Sequence, residues 1–461
     1  MYRCKAIIAL GAIMSTIAGY MKLADGVAAE IGAGRLKAGD RLPPQRAFAY
    51  ERGIAVSTAS RVYSELLRRG LVVGEVGRGT FISGQSLRGA AAAKEPGHAR
   101  VDLEFNYPIL ATQHELLAKS LAALAKPDSL HFALRQATSG GTPEMQEVAS
   151  RFLARGGWSP EPSDLVFTGN GRQSIAAALG ALVPIGGRCG VEALTYPFVK
   201  GAAVRLGVTL VPLAMDEFGI RPDAIRKVHR DASISALYLQ PTLHNPLGIT
   251  MPPSRREELA RFAEKHDLVV IEDAIYSFLV DDPPLAALAP DNCVVLDSLS
   301  KRVAPGLTLG FIQTPARLRE RIMASIRSGG WTASGYAFAA GQLLIADGIV
   351  AEIARRKRED AQRRQRLAAE CLAGFSIQAD SRSYHLWLTL PEHWRSQTFV
   401  AAAARRGIAL TASSAFAVSP GHAPNAIRLA LAAPPIEQLQ KALVTLAKML
   451  SAREEDFEYT E

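Results

Sequence analysis

The spacing of apolar residues changes along the chain, and the change predicts two kinds of domain. Near the amino terminus apolar residues recur at helical intervals, as at Leu23, Val27 and Ile31, which predicts a helix over residues 21–34. From residue 102 onward, short apolar runs such as residues 294–296 alternate with helical segments. This alternation is typical of an open parallel sheet with helices on both faces, so the larger part of the chain has an α/β pattern.

The smaller part carries the pattern of two short helices and a two-stranded wing. A helix over residues 45–52 ends at Gly53, and a second helix follows over residues 56–69. Two short helices joined at a glycine form a helix-turn-helix, whose second helix can enter the major groove of DNA. Apolar runs at 71–73 and 81–82 flank the glycine-rich stretch GEVGRGT, which predicts two strands with a tip between them.

A segment without periodicity separates the two parts. Residues 85–101, QSLRGAAAAKEPGHARV, mix small residues with Gly, Pro and charge, which predicts a linker. Its length would let the smaller domain sit on a partner subunit. We therefore expect a domain over residues 15–84, this linker, and a domain over residues 102–452 whose small subdomain covers about 355–452.

One turn in the larger part has the form of an anion site. The stretch DLVFTGNGRQSIAAALGAL predicts a strand, a turn with glycine, and a helix. The backbone N–H groups of Gly171, Arg172, Gln173 and Ser174 then point from the start of that helix, where an anion binds favourably. A single turn of this kind is a weak signal for phosphate, so its meaning depends on what else meets it.

Polar residues also follow the ends of several predicted strands. Tyr196 ends one strand, Asp273 ends another, and Lys301 lies in a small polar segment after a third. Asn245, Asp273 and Lys301 are 28 residues apart in turn, one strand–helix unit each, so they can converge on one edge of the sheet, where such sheets bind ligands. A desolvated lysine there can form a Schiff base with an aldehyde such as pyridoxal phosphate, and a buried carboxylate needs a cation such as a protonated pyridine nitrogen. Taken alone, Lys301 could equally be a solvated loop residue, and Asp273 its plain ion-pair partner.

Composition and charge narrow the partners. The chain has 461 residues, 48% of them hydrophobic, and a formal net charge of +9. Residues 1–84 hold twelve Lys and Arg against six Asp and Glu, so most of the excess lies in the smaller part, as a polyanionic partner favours. The four cysteines are scattered without CxxC spacing, which argues against a zinc site or disulfides and fits the cytoplasm.

The first residues are ambiguous, and nothing in the sequence reaches the length of a membrane span. Arg3 and Lys5 precede the apolar residues 6–13, which could mimic a signal peptide. We favour an extra amino-terminal helix or an early start codon, because the following segment has the pattern of a DNA-binding domain.

The smaller part resembles a known family of bacterial regulators. GRLKAGDRLPPQRAFAYERGI, STASRVYSELLRRGLV and GRGTFIS are similar to the winged helix-turn-helix of the GntR family over roughly residues 20–84. Ala55 and Val56 depart from the family, which usually has a capping serine and an arginine there. The residues that the resemblance places near double-stranded DNA are Arg46, Ser57, Thr58 and Arg61, with Gly77, Arg78 and Gly79 of the wing tip at the minor groove.

The larger part resembles the fold-type I pyridoxal phosphate enzymes, the aspartate aminotransferase superfamily, over about residues 102–452. The resemblance implies pyridoxal 5′-phosphate as cofactor, with Lys301 as the Schiff-base lysine and Arg428 of NAIRLALA as the holder of a substrate or effector carboxylate. It further implies that Asp273 partners the pyridine nitrogen. The other implied cofactor contacts are Asn245 and Tyr276 at the ring hydroxyl oxygen, Tyr196 stacked on the ring, and Gly171, Arg172, Gln173 and Ser298 at the phosphate.

Three positions depart from that superfamily. Thr308 in PGLTLGF stands where an arginine normally pairs with the phosphate, and Gln136 where many relatives have a tyrosine that reaches the neighbouring subunit. Gln146 stands where an arginine is common. We hypothesise that Arg172 supplies the missing phosphate charge. The pocket is thus expected to hold the cofactor with fewer contacts than a typical transaminase.

A winged helix joined by a linker to an aminotransferase-like domain resembles the MocR subfamily of GntR regulators over nearly the whole chain. The resemblance implies a cytoplasmic homodimer that regulates transcription, binds DNA half-sites and responds to a small amino compound or to the cofactor. Two alternatives stay open. One is an aminotransferase acting on amino acids and 2-oxo acids, and the other is a DNA-binding protein whose large domain only dimerises, since one fold carries both enzymes and regulators.

Overall fold

The chain divides into two compact units, Met1–Ala92 and Ala93–Glu461. The structure, a computed structural model, describes residues 20, 23–27, 30–31, 35–36, 39–68, 71–75, 79–82, 99–135, 137–419 and 423–452. The predicted helix over residues 21–34 lies partly outside this part of the chain, and most of the predicted linker and the wing residues 76–78 lie outside it too. The linker and the predicted domain limits stay predictions.

The smaller unit contains the predicted helix-turn-helix. Helix α1, Gln45–Glu51, is followed by Gly53, whose φ of +59° suits the tight turn into the second helix, because glycine has no side chain to clash there. Helix α2 is Val56–Arg68. The apolar faces of both helices pack together in one core with residues of the turn and wing. Its core side chains include Phe48, Val62, Tyr63, Leu66 and Ile82.

Two antiparallel strands complete the smaller unit. Strand β1, Val72–Glu75, pairs with β2, Gly79–Ile82, and Val72 lies opposite Ile82. Both strands extend further toward the tip than the apolar runs predict, since Gly74 pairs with Thr80 even though neither is apolar. Backbone pairing needs no apolar side chain, which explains the difference. The unit has the winged helix-turn-helix arrangement that the sequence predicts.

The larger unit is built on a seven-stranded sheet of order β4-β12-β11-β10-β9-β5-β6. Its strands are β4 Leu165–Thr168, β5 Arg188–Glu192, β6 Thr209–Leu213, β9 Ala236–Leu239, β10 Val269–Asp273, β11 Cys293–Ser298 and β12 Gly310–Gln313. Strand β12 is antiparallel to both of its neighbours, whereas the sequence predicts a parallel sheet. The connection from β11 to β12 is too short for a parallel crossover, so the chain returns in the opposite direction.

Helices cover both faces of this sheet, as the alternating pattern predicts. The helices between residues 113 and 346 are α3 Gln113–Leu121, α4 Pro127–Ala133, α5 Pro143–Leu153, α6 Gly171–Leu182, α7 Pro197–Arg205, α8 Pro222–Asp231, α9 Pro253–Lys265, α10 Leu299–Arg302, α11 Ala316–Ser328 and α12 Gly335–Ala346. One apolar core joins the sheet to α6, α7 and α11, and a second joins its other face to α8 and α9. A third core packs α5 and α12 beside β4.

A smaller sheet of order β13-β14-β17-β16 lies toward the carboxyl end of the chain. Its core contains Trp394, Phe399 and several leucines of β14, β17 and α15. The elements here are α13 Ile349–Cys371, β13 Ile377–Gln378, β14 His385–Thr389, α14 Ser396–Arg405, β15 Ile408–Ala409, β16 Thr411–Ala412, β17 Ala426–Ala430 and α15 Ile436–Ser451.

Three short strands complete the architecture. Strand β3, Val101–Asp102, pairs in parallel with β15, so the chain after the predicted linker first joins the carboxyl-terminal part of the larger unit. Strands β7, Met215–Asp216, and β8, Gly219–Ile220, form a small hairpin. Within the described residues no single helix is long and apolar enough to cross a membrane. Helices Gly335–Ala346 and Ile349–Cys371 are long and apolar enough only when they are taken as one segment, and the chain bends by 73° between them.

Candidate functional site

The polar residues predicted at the strand ends meet at one edge of the seven-stranded sheet. Asp273 is the last residue of β10 and lies opposite Leu296 of the neighbouring parallel strand β11. Two residues further on, Ser298 ends β11 and caps the short helix α10, which carries Lys301. Because parallel strands end at the same edge, Asp273 and Lys301 face one site, and their charges influence one another.

Lys301 is the amine of this site. Its Nζ donates a hydrogen bond to the Asn106 carbonyl oxygen at 2.6 Å and lies 4.2 Å from the centre of the Tyr107 ring. Burial, with the positive charges of Arg172, Arg428 and Lys357, lowers the pKa of Lys301 from 10.5 to about 7, while Asp273 acts in the opposite direction. Much of this amine is therefore neutral near pH 7, the form that attacks an aldehyde.

Asp273 is a buried carboxylate that is held from two sides. Its Oδ2 accepts hydrogen bonds from Tyr238 Oη at 2.5 Å and Gln240 Nε2 at 2.9 Å, and its Oδ1 accepts one from Ile275 N at 3.1 Å. Burial raises the pKa of Asp273 to about 6, and these hydrogen bonds limit the rise. A cation placed against this carboxylate would offset its desolvation, as a protonated pyridine nitrogen does.

Tyr276 and Asn245 border the same site. Tyr276 Oη accepts a hydrogen bond from Asn106 Nδ2 at 3.0 Å, and burial raises the pKa of Tyr276 to about 12, so its hydroxyl keeps its proton. The backbone N–H of Asn245 donates to Gln240 Oε1 at 3.3 Å. Asn245 Oδ1 is buried and has no hydrogen-bond partner among the described residues. A ligand atom that donates or accepts hydrogen bonds can meet both side chains.

The predicted phosphate turn has the form of a cradle. Helix α6 begins at Gly171, and the side chain of Asn170 caps it by accepting a hydrogen bond from Gln173 N at 3.0 Å. A Cβ atom on Gly171 would lie 3.0 Å from Ser298 Oγ, so the absence of a side chain at Gly171 leaves room for this hydroxyl beside the helix start. The N–H groups of Gln173 and Ser174 donate to Asn170, contrary to the prediction that they face an anion, which leaves those of Gly171 and Arg172 at the start of the helix for this role.

Two residues that bear on the phosphate charge have other partners. Thr308, which replaces the usual arginine, shares a hydrogen bond with Ser300 between their hydroxyl oxygens at 2.7 Å. Arg172 Nε donates to Tyr196 Oη at 3.1 Å, and its guanidinium lies 5.6 Å from the centre of the Phe198 ring. Arg172 thus lies beside the predicted stacking ring, and its hypothesised role at the phosphate stays a prediction.

Arg428 on β17 is the predicted carboxylate anchor, and it is buried. Its Nη2 donates hydrogen bonds to the Glu104 carbonyl oxygen and, at 3.2 Å, to Thr411 Oγ1. Its Nε is buried without a hydrogen-bond partner among the described residues, and the guanidinium lies 5.4 Å from the centre of the Phe416 ring. Burial lowers the pKa of Arg428, and its positive charge acts on Lys301.

Several residues of the site are not predicted by sequence reasoning. Asn106 and Tyr107 reach Lys301 from a segment 195 positions earlier in the chain. Tyr238 and Gln240 support Asp273, and their alternation at the end of β9 is the signal that could have revealed them. Lys357 is fully buried and donates to the carbonyl oxygens of Lys301 at 2.9 Å and Val303 at 2.7 Å, so it holds the backbone that carries the reactive amine.

The predicted DNA contacts lie mostly on the exposed side of the smaller unit. Arg46 on α1 is exposed, as are Ser57 and Arg61 on α2, while Thr58 is half-buried. Gly79 has a φ of +118° at the start of β2, a conformation that favours glycine. Gly77 and Arg78 lie outside the described residues, as does Gln136, so the predictions made for them stay untested. Gln146 donates to the Gly140 carbonyl oxygen at 2.8 Å.

Fold and site together define a class of protein: a winged helix-turn-helix joined to a transferase fold of the pyridoxal phosphate type. The chain belongs to the aminotransferase class I and II family, whose model matches residues 101–446. The model of the bacterial regulatory proteins of the gntR family matches residues 20–82. The predicted union of a GntR winged helix with an aminotransferase-like domain is therefore confirmed.

Relatives with the same architecture carry regulator names. The chain is 29% identical over 436 residues to the HTH-type transcriptional regulator YdeF of Bacillus subtilis, and the match covers 94% of both chains. It is 25% identical over 311 residues to the HTH-type pyridoxine biosynthesis transcriptional regulator PdxR of Corynebacterium glutamicum, covering 64% of this chain and 66% of PdxR.

Solved structures show the same fold in the larger unit. An archaeal alanine:glyoxylate aminotransferase aligns with a TM-score of 0.69 and 21% identity over 83% of this chain and 97% of its own. LysN, the α-aminoadipate aminotransferase of Thermus thermophilus, aligns with a TM-score of 0.69 and 19% identity over 76% of this chain and 92% of its own.

The family implies pyridoxal 5′-phosphate, and the residues present fit it. Three groups face one site. They are the buried carboxylate of Asp273, the amine of Lys301 with its lowered pKa, and the capped helix start at Gly171. The unpartnered Oδ1 of Asn245 offers a further hydrogen-bonding group there. This donor set suits a ligand that is cationic at one end, anionic at the other and carries an aldehyde between them.

Proposed function

We propose that this protein is a cytoplasmic, homodimeric transcriptional regulator that uses pyridoxal 5′-phosphate to sense a small amino compound. The observation that carries the proposal is the meeting of Lys301, Asp273 and Arg428 at one site in a chain that also has a DNA-binding unit. An amine that competes with Lys301 changes the charge and contacts of this site. Such a change alters DNA binding if the two DNA-binding states differ in their affinity for the amine.

Each side chain of the site has a proposed part in holding the cofactor. When bound, the cofactor supplies an aldehyde that joins amines covalently. Lys301 would provide the resident amine, and Asp273 would hold a proton on the pyridine nitrogen. Tyr276 and Asn245 would contact the ring hydroxyl oxygen, and Tyr196 would lie against the ring. Gly171, Arg172, Gln173 and Ser298 would hold the phosphate.

We infer that the effector carries a carboxylate as well as an amine. Arg428 is buried, and a buried guanidinium is costly unless anions or other acceptors meet it. Its planar fork matches a carboxylate through two parallel hydrogen bonds. Arg428 and Lys301 donate to the carbonyl oxygens of Glu104 and Asn106, two residues apart, so one small molecule can meet both groups. An amino acid or a related amino carboxylate has this chemistry.

Promoter recognition is proposed for the exposed polar side chains of the smaller unit. Arg46 and Arg61 are suited to phosphates or guanine edges, and Ser57 and Thr58 to phosphates near the start of α2. A homodimer would place two such units on repeated half-sites. Gly77, Arg78 and Gly79 are proposed to bring the wing close to the minor groove.

DNA binding by the full-length protein tests this function. DNA from the region upstream of the gene is titrated with protein in the presence and absence of pyridoxal phosphate and of candidate amino acids. We expect an effector to change the dissociation constant by about fivefold or more, the usual range of allosteric coupling. Lys301→Ala is expected to bind DNA without responding to the amine, and an equal response in this variant would remove Lys301 from the mechanism.

An aminotransferase is the second candidate, and the intact set of Lys301, Asp273 and Arg428 favours it. Thr308 in place of the usual arginine, tied to Ser300, argues for slow turnover. The absorbance spectrum distinguishes the two functions. Conversion to the amine form of the cofactor by an amino acid, with reversal by a 2-oxo acid, would identify an enzyme. A protein with no visible absorbance and no adduct after borohydride would instead have a large domain that only dimerises.

A further inference from the structure

A short segment at the start of the larger unit contacts three functional groups of the site. We call residues 104–107 the strap. The Glu104 carbonyl oxygen accepts a hydrogen bond from Arg428, and the Asn106 carbonyl oxygen accepts one from Lys301. The Asn106 side chain donates to Tyr276 Oη at 3.0 Å. Four consecutive residues thus meet the amine, the carboxylate anchor and the phenol of the proposed site.

The strap starts from a fixed point. Leu103 N donates to the Ala409 carbonyl oxygen at 3.0 Å, and the Leu103 carbonyl oxygen accepts from Ala430 N at 2.8 Å, so Leu103 is held between two strands. Asp102 Oδ1 accepts hydrogen bonds from the N–H groups of Glu104 at 2.7 Å and Phe105 at 3.0 Å, which turns the chain toward the site. The strap therefore leaves a fixed stretch of backbone and is turned toward the site at its first two residues.

The hydrogen bonds of Arg428 show why the strap matters for a ligand. A carboxylate binds an arginine side-on through Nε and Nη2, or end-on through both terminal nitrogens, so either geometry needs Nη2. That Nη2 is used by the Glu104 carbonyl oxygen and Thr411, whereas Nε has no partner among the described residues. A carboxylate that approaches Arg428 must compete with the Glu104 carbonyl oxygen, and a charged acceptor forms the stronger hydrogen bond.

Two side chains of the strap are also placed to contact a bound amine. Asn106 is buried, and its Oδ1 has no hydrogen-bond partner among the described residues. The Tyr107 ring lies 4.2 Å from Lys301 Nζ and stacks on Phe105 with the ring centres 5.7 Å apart. An amine that takes the place of Lys301 would therefore meet an amide oxygen and an aromatic face.

We propose that the strap is part of the effector site: a carboxylate displaces the Glu104 carbonyl oxygen from Arg428, while Asn106 and Tyr107 contact the bound amine and select it. This inference rests on the proposed function and names the residues that give it specificity. The strap follows directly on β3 and Leu103, which are bonded to strands of the larger unit.

Hydrogen exchange tests the hold of Arg428 on the strap. Full-length protein loaded with pyridoxal phosphate is compared with Arg428→Gln by mass spectrometry of peptides that contain residues 104–107. We expect these amides to exchange several times faster in Arg428→Gln. Arg382→Gln, which removes a partly exposed arginine paired with Asp380, is the matched control and should leave them unchanged. Equal exchange in wild type and Arg428→Gln overturns the proposal.

Binding of two probes tests the contacts to the amine. L-Alanine and ethylamine differ by a carboxylate, and each is titrated into the loaded protein while the absorbance is recorded. Asn106→Ala and Tyr107→Leu are expected to weaken both probes by about tenfold, the factor that corresponds to one hydrogen bond or aromatic contact. Ile109→Ala, at an exposed residue just beyond the strap, is the control. The proposal is overturned if wild type and both strap variants bind the probes with equal affinity. It is also overturned if neither probe changes the spectrum of the wild-type protein.

The two proposals can fail separately. If the strap variants bind the probes as wild type does while amino acids still alter DNA binding, the proposed role of the strap is wrong and the proposed regulatory function is supported. If the strap variants behave as expected but no amine alters DNA binding, the strap is part of an amine site and the regulatory function is wrong.

Discussion

Positive charge is concentrated around Lys301, and this excess decides what the site attracts. Arg172, Arg428 and Lys357 all lower the pKa of Lys301, whereas Asp273 is the carboxylate that opposes them. A pocket with more cations than anions stabilises ligands with several negative charges, such as a phosphate with a carboxylate. Burial first, and this excess of positive charge second, lower the pKa of the lysine amine to about 7, so the charge that attracts an anionic ligand also favours the reactive neutral amine.

The lowered pKa of Lys301 gives a pH dependence with a definite sign. Below pH 7 the amine is protonated and cannot attack an aldehyde, and above pH 7 it is neutral. We expect the rate at which the cofactor-free protein combines with pyridoxal phosphate to rise through about pH 7 and to level off above it. Stopped-flow absorbance, with N-acetyl-lysine amide as reference, measures this rate. A protein-to-reference ratio that stays constant from pH 6 to 9 would contradict the lowered pKa.

Residue by residue, the side chains at strand ends were predictable and their partners from elsewhere were not. Asp273 and Lys301 follow apolar strands at a regular interval, which marks them in the sequence. Asn106 contacts Lys301 through a backbone carbonyl, and a carbonyl has no sequence signature. Lys357 looks like one more basic residue of α13, because its burial depends on packing 54 and 56 positions away. Contacts of this kind need the fold before they can be found.

Helix α2 begins without a side-chain cap, and this affects the stability of the smaller unit. The Ala55 carbonyl oxygen accepts the N–H of Ala59 at 3.0 Å, which makes Ala55 the capping residue of α2. A serine there can accept the N–H of Ser57 or Thr58, so Ala55→Ser is expected to stabilise the unit by about 1 kcal/mol. The free energy of unfolding of the smaller unit is measured by chemical denaturation, and hydrogen exchange of the α2 amides measures the local change at the helix.

The control for this cap is Ala369→Ser, at an exposed position within the long helix α13, where the backbone N–H groups already donate to carbonyl oxygens of the helix. It should have no effect on the smaller unit. If Ala55→Ser leaves the α2 amides exchanging as before, the serine cap does not stabilise this helix start.

Helices with a proline before them and a glycine after them, such as α1 between Pro44 and Gly53, were predictable from the sequence. The antiparallel direction of β12 was not, because it depends on which strands β12 pairs with in the folded sheet.

At the scale of the whole molecule, two units with different chemistry share one chain. The smaller unit has most of the basic excess, and the exposed Arg46 and Arg61 are on its two helices α1 and α2. The larger unit holds the buried charges of Asp273 and Arg428 in its candidate site. Ligand chemistry and DNA recognition are therefore proposed for different units of the same chain.

The charge distribution makes a final prediction about DNA binding. If Arg46 and Arg61 contact phosphates, each releases counterions on binding, and the logarithm of affinity falls with the logarithm of salt concentration by about 0.9 for each phosphate contacted. Arg46→Ala and Arg61→Ala should each reduce this slope by about 1 per DNA-binding unit engaged. Fluorescence anisotropy over a salt series measures it. Arg151→Ala, which removes an exposed arginine of the larger unit, is the control and should keep the wild-type slope. A wild-type slope in Arg46→Ala or Arg61→Ala would mean that this arginine contacts no phosphate.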